Sequence, residues 1–176
     1  MKNLFLLFCI VLSIASAQAQ GRLELKADVL GVFESAIGLS GEYLLLPEWG
    51  IEAGMGYQAY RFVSNDYPET VTIKYVNTHL SGRHYFKPKY GSDRFFIGAV
   101  ADYYHILSRA VGKQEIENPD NTLGIGVEPG YKWITKKNIL IELSGRVLYL
   151  KDVFEGKEAD INVIITGKIG YRFHKK

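Results

Sequence analysis

Cysteine is almost absent: the 176 residues hold one, Cys9. A single thiol excludes a disulfide framework, a CxxC redox pair and a cysteine-based zinc site within one chain. An excess of either charge is missing too. Lys and Arg number 21 against 19 Asp and Glu, a net charge of +2, which gives no basic surface for nucleic acid. After the N-terminal segment no run of 18 apolar residues occurs, so there is no transmembrane-helix pattern. What is plentiful is Tyr (12), Phe (9) and Gly (18), in a chain 47% hydrophobic and 23% charged. That balance argues against disorder. The Tyr and Gly content suits strands and tight turns better than helices, and the length fits one domain.

The N-terminus reads as an export signal. Lys2 precedes an apolar run from Leu4 to Ile14, broken only by Ser13. The run is too short to span a bilayer as a helix, which takes ~20 apolar residues. Ala15-Ser16-Ala17 and Ala17-Gln18-Ala19 both offer a small-x-small cleavage site. The expected organisation is a signal peptide at 1–19 and a β-barrel domain at 20–176. Cys9 would leave with the signal.

Period-two alternation fills the rest, which is the strand signal. It predicts eight strands, over Leu23–Gly31, Ile37–Leu45, Ile51–Ala59, Val76–Phe86, Phe95–Tyr103, Leu123–Trp133, Ile139–Tyr149 and Ile161–Phe173, with no helix. Ile73 and Tyr75 fall out of phase with Val76, which predicts a bulge in the fourth strand. Pro129 cannot donate a ladder hydrogen bond and predicts another.

The two faces differ sharply in chemistry. One is apolar in every strand and carries no Asp, Glu, Lys or Arg. The other holds Glu24, Lys26, Asp28, Glu42, Glu52, Arg83, Asp102, Glu128, Lys132, Glu142, Arg146, Lys168 and Arg172, with many glycines between them. Small residues beside opposite charges suit a narrow lumen filled by salt bridges. A solvated surface has less need of glycine. The expectation is a barrel with apolar residues outside and a charge network inside, the reverse of a soluble barrel. Arg83, Arg146 and Arg172 are the expected anchors, with Glu128 and Glu142 as partners of Arg146. Connections alternate between short (46–50, 87–94, 134–138) and long (63–72, 107–121, 150–160), the pattern of periplasmic turns and outer loops. The first outer loop, near Glu34-Ser35, is short. Trp49, Phe86, Phe95, Trp133, Tyr171 and Phe173 fall at the short-turn end, and Tyr103 and Tyr149 at the other, as interfacial girdles would.

The apolar leader, the eight strands, segments such as Arg83-His84-Tyr85-Phe86 and Gly130-Tyr131-Lys132-Trp133, and the terminal strand Gly167-Lys168-Ile169-Gly170-Tyr171-Arg172-Phe173 resemble the small bacterial outer-membrane β-barrel families, which include OmpX and the OmpA membrane domain. The resemblance is one of pattern and covers the whole chain after the leader. It implies an all-β, eight-stranded antiparallel up-and-down transmembrane barrel in the bacterial outer membrane. The implied partners are outer-membrane lipid and the barrel assembly machinery, which reads a final aromatic residue, here Phe173. His174-Lys175-Lys176 follow it, a departure from the family pattern.

His79-Leu80-Ser81 is the sharpest catalytic candidate, because some lipid A deacylases are outer-membrane barrels with a His-x-Ser pair and an acid. A hairpin about residues 90–91 would set His79 opposite Asp102 and make a Ser-His-Asp arrangement conceivable. Alternation points these residues into the lumen, away from an acyl chain, and Gly82 stands where that pattern has Asn. The bland reading is a polar pair in a crowded interior. His79, His84, His105 and His174 have no metal-ligand spacing. Gly124-Ile125-Gly126 lies within a strand and makes no phosphate loop. Asn118-Pro119-Asp120-Asn121 is a turn with too few calcium ligands. The expectation is therefore a non-enzymatic barrel, without cofactor or metal, that is plugged by its own charges and meets an unknown surface ligand through its long loops. Eight strands leave room for side chains but not for an open pore. The alternatives are a lipid A-modifying enzyme and a soluble lipocalin-like periplasmic binding protein.

Overall fold

A computed structural model describes residues 22–30, 36–64, 67–112, 114–116, 121–152 and 160–173. The leader, including Cys9 and both cleavage sites, lies outside them, as do His174 and residues 117–120. β-Branched and aromatic residues alternating with polar ones make nine strands: β1 (Arg22–Asp28), β2 (Ala36–Leu46), β3 (Trp49–Ser64), β4 (Tyr67–Tyr85), β5 (Arg94–Val111), β6 (Gln114–Ile116), β7 (Asn121–Ile134), β8 (Ile139–Asp152) and β9 (Asp160–Phe173). There is no helix among the described residues. Eight strands form a closed antiparallel ring in chain order. β4 pairs with β5, and β1 closes on β9 with Leu23 opposite Phe173. Closure leaves no sheet edge around the ring.

The ring is taller on one side. β2 stops pairing with β3 at Ala36 opposite Gln58, and β7 begins on β5 with Asn121 opposite His105. Above that level β3, β4 and β5 run on, and β6 pairs with the end of β5. This corrects the sequence-based strand ends. Most of 63–72, expected as a loop, is strand, with Ser64 opposite Tyr67. Part of 107–121 is strand as well, and β6 is a ninth strand outside the ring. The phase break near Tyr75 has a different origin from the one predicted. Lys74 faces Ser108 while Tyr75 faces Ile106, so the extra residue is Leu107 of β5, not a residue of β4. Pro129 makes no bulge. It stays in register opposite Ile97, and the β7–β8 ladder resumes at Gly130 opposite Ser144 with equal spacing on both strands.

Burial is inverted relative to a water-soluble protein. Ile37, Ile161 and Ile165 are each about 70% exposed on the outer face, whereas Glu24, Glu42, Glu52, Arg83 and Lys132 are fully buried inside. The outer wall of Leu, Ile, Val and Met ends in aromatic contacts at the short-turn rim. The rings of Trp49 and His84 lie 4.7 Å apart, His84 and Phe86 4.8 Å, Phe86 and Phe95 5.6 Å, Tyr131 and Trp133 4.5 Å, and Tyr171 and Phe173 5.0 Å.

Candidate functional site

The interior is stacked in layers from the short-turn end upward. The β4–β5 connection, residues 87–93, folds beneath the ring as a lid. Lys87, Ser92 and Arg94 adopt left-handed backbone, an uncommon conformation for side-chain-bearing residues, and Gly91 adopts it freely. Asp93 Oδ1 accepts the backbone N–H of Lys89 and Tyr90, which stiffens the turn. The Ser92 N–H donates to the Pro47 carbonyl, and Arg172 donates to the carbonyls of Tyr90 and Ser92. Arg22 also reaches Tyr90 O. Above the lid, Leu44, Tyr85, Phe96 and Leu140 form a buried layer. Phe96 fits because β7 carries glycine beside it: a Cβ on Gly130 would fall 2.4 Å from the ring.

The third layer is ionic. Lys26 Nζ sits among Glu42, Glu52 and Glu142, with the last two each at 2.6 Å. The oxygens of these three carboxylates lie within 4.8 Å of one another, a spacing that would suit a metal ion. The ammonium of Lys26 already occupies their centre. Arg83 spreads across the lumen to Glu52 (2.7 Å), Glu128 (2.9 Å), Glu142 (3.1 Å) and Glu42 (3.2 Å). Lys132 bridges Glu24 and Glu42 at 2.7 and 2.9 Å, Arg172 holds Glu24, and Lys168 holds Glu52. The cations rest on aromatic faces, Arg83 4.6 Å from the Phe96 ring centre and Lys132 4.5 Å from that of Tyr85. The Tyr85 hydroxyl donates to Glu42. Buried charge is tolerable only when paired and hydrogen-bonded, and each of these acids has a cation beside it. The contacts also tie strands that are not neighbours. Lys26 of β1 reaches Glu52 of β3 and Glu142 of β8.

Arg146 lies above this layer and bonds Glu128 (3.1 Å) and Asp102 (3.3 Å). Glu142, expected as its partner, belongs instead with Lys26 and Arg83, one layer lower. Twelve of the thirteen charges on the polar face are buried, six of each sign. Asp28 is half-buried at the long-connection end.

The catalytic candidates are near one another but do not form a relay. His79 does pair with Asp102 in the β4–β5 ladder. Its Nε2, however, meets Glu52 at 3.0 Å, Ser81 Oγ donates to Glu128 at 3.0 Å, and Asp102 accepts from Arg146 and the Tyr104 hydroxyl. The serine hydroxyl is therefore held by a carboxylate and not by the imidazole, so His79 is not placed to take its proton.

The top layer is a cup that alternation did not single out. About 220 Å³ of space lies in the long-connection half, bounded by residues of β1–β5, β8 and β9. Its floor includes Ser40, His79, Arg146 and Lys168, and its wall includes Gln58, Tyr60, Tyr75, Asn77 and Tyr104. The register creates the hollow: Ser40, Gly54 and His79 lie side by side across β2, β3 and β4. A Cβ on Gly54 would fall 2.3 Å from the His79 ring.

A family model described as "Protein of unknown function (DUF3575)" matches residues 4–154. Among solved structures, the barrel is similar to Ail, the attachment invasion locus protein of Yersinia pestis. The TM-score is 0.50 at 12% identity, covering 87% of this chain and 97% of that one. A structure of Ail in complex with the heparin analogue sucrose octasulfate scores 0.49 at 13% identity, with the same coverage. No curated protein matches the sequence. At 12% identity the likeness to Ail speaks for the fold alone: an eight-stranded barrel of the outer-membrane type.

Proposed function

We propose, for a chain that belongs to the DUF3575 family, a non-enzymatic barrel of the bacterial outer membrane that is closed by its own ion pairs and meets partners at the cell surface. The observation that carries this reading is the inverted wall. An outer face of exposed Ile, Leu and Val around an interior of paired Glu, Lys and Arg has its lowest free energy with hydrocarbon outside. The ring strands pair with a neighbour on both sides through most of their length, the other condition a membrane imposes. The aromatic contacts at the short-turn rim suit the headgroup region. Phe173, the last residue of β9, is offered to the assembly machinery.

The asymmetric height supports a surface role. The upper parts of β3, β4 and β5, together with β6, project beyond the rim, and the β3 segment 59–64 has no partner on its β2 side among the described residues. An unpaired strand edge is a template for another strand. The lipid A-modifying alternative is disfavoured by the Ser81–Glu128 and His79–Glu52 bonds. A lipocalin-like soluble barrel is disfavoured by the exposed apolar wall. Fractionation of expressing cells, with protease added outside intact cells, tests the proposal. Recovery in the outer-membrane fraction with cleavage near residues 64–67 is expected. Recovery in the soluble periplasm would end the reading.

A further inference from the structure

We propose that the cup in the long-connection half of the barrel binds a neutral, polyhydroxylated small molecule about the size of one saccharide ring. Two buried donors have no partner there. Ser40 Oγ and Arg146 Nη2 make no hydrogen bond, although Ser40 is 7% and Arg146 3% exposed, and both residues line the cup. A buried polar group without a partner is costly. A small rotation of either side chain would turn its free O–H or N–H onto a ligand hydroxyl in the cup.

The wall supplies the rest of such a site. Tyr60 and Tyr75 are stacked with ring centres 5.9 Å apart, and Tyr104 meets Tyr75 edge-on at 5.7 Å. The Tyr75 hydroxyl donates to Gln58 Oε1 and the Tyr104 hydroxyl to Asp102, so both rings are fixed. They present apolar surface to the C–H face of a sugar ring. The amide nitrogen of Gln58 remains free for an acceptor among the described residues, and Asn77 adds an amide on the next strand. The lining of the cup is more polar than apolar, which suits a hydroxyl-rich ligand better than a hydrocarbon.

Charge selects the neutral class. The Arg146 guanidinium is already matched by Asp102 and Glu128, and Lys168 by Glu52. The buried charges of the polar face number six of each sign, and Asp28 also lines the cup, so the lining offers an anion no uncommitted positive charge. Size agrees: a protein cavity of ~150 Å³ holds benzene, and about 220 Å³ has room for a six-membered ring with hydroxyls. The inference does not depend on whether the outer face meets lipid.

The test titrates the purified full-length chain in detergent micelles with a panel of neutral monosaccharides, and separately with inorganic phosphate and sulfate, by ligand-observed NMR and calorimetry. Saturable one-to-one binding of at least one neutral sugar is expected. Ser40→Ala and Asn77→Ala should each weaken it about fivefold, the effect of one lost hydrogen bond, and Tyr60→Ala should weaken it at least as much. Asn77 and Tyr60 lie outside the ion-pair network, so Asn77→Ala should unfold at the wild-type urea concentration and Tyr60→Ala, which loses its ring contact with Tyr75, only slightly below it. Three results would overturn the proposal: no neutral sugar saturates, phosphate or sulfate alone saturates, or the Asn77 and Tyr60 variants bind like wild type.

Discussion

The two halves of the lumen are built from the same strands with the same alternation, yet they are finished differently. In the short-turn half every charge of the ionic layer is paired, aromatic rings underlie Arg83 and Lys132, and a lid covers the end. In the long-connection half the polar atoms outnumber their partners: Ser40 Oγ and Arg146 Nη2 are left over, and space remains. The lower half commits its cations to its own carboxylates, and its hollow lies outside the ionic layer, between the 87–93 connection and the 134–138 turn. The upper half keeps unpartnered donors beside its own hollow. A single barrel thus separates the region that holds it together from the region that is open to chemistry.

The largest expected effect comes from Lys26→Met. It removes the cation between Glu42, Glu52 and Glu142 and leaves three carboxylates in contact, at a cost of about 3–5 kcal/mol. Urea unfolding followed by heat-modifiable gel mobility should show a large fall in midpoint. A wild-type midpoint would mean that the lower half does not depend on its ion pairs. Next is Ile165→Arg on the outer wall, opposite Gly145 near mid-strand. A lipid-facing Arg at depth costs ~2–4 kcal/mol, so the yield of folded barrel should drop. Harmless insertion there, with polar lumen substitutions abolishing folding, would invert the assigned faces. Glu142→Gln keeps an acceptor for Lys26 and Arg83 and loses charge assistance, and a loss of about 1–2 kcal/mol is expected. Asn77→Ala, in the upper half, should stay within about 0.5 kcal/mol of wild type. If it destabilises as much as Glu142→Gln, the division between the halves fails. The last prediction is of no effect at all. Planar-bilayer recording at neutral pH should give no stable, large single-channel conductance, because layered side chains block the path.

Much of this could be read in the sequence, because alternation reports which side a residue faces and nothing more. It separated Glu24, Lys26, Glu42 and their companions from Leu23, Ile37 and Ile165, and the structure places these groups on opposite faces. Alternation does not report depth, so Glu142 was matched with Arg146 when it stands level with Lys26. The tall strands were hidden by the extra residue Leu107, which shifts the partner register while β4 itself continues. The lid read as a plain turn because its left-handed backbone falls on Lys87, Ser92 and Arg94, where no glycine signals it. The cup needed the cross-strand register: Ser40, Gln58 and Asn77 are unremarkable in sequence and meet only when β2, β3 and β4 are aligned. The His79–Asp102 opposition was legible from the hairpin. That their side chains turn to Glu52 and Arg146 was not, since those partners come from other strands.

The lid has a consequence for the order in which the molecule can be made. Neighbouring hairpins require only short-range encounters, whereas joining β1 to β9 brings Leu23 to Phe173 and is the most distant strand pairing among the described residues. Contacts of such separation form slowly, because chain entropy is lost before they repay it. Arg22 sits at the start of β1 and Arg172 at the end of β9, and both donate to the carbonyl of Tyr90. A lid already formed on the β4–β5 hairpin offers one acceptor that both seam strands reach from opposite ends of the sequence. The loop beneath the barrel is thus a meeting point for the first and last strands of the ring, and it ties both sides of the seam to the β4–β5 hairpin on the opposite wall.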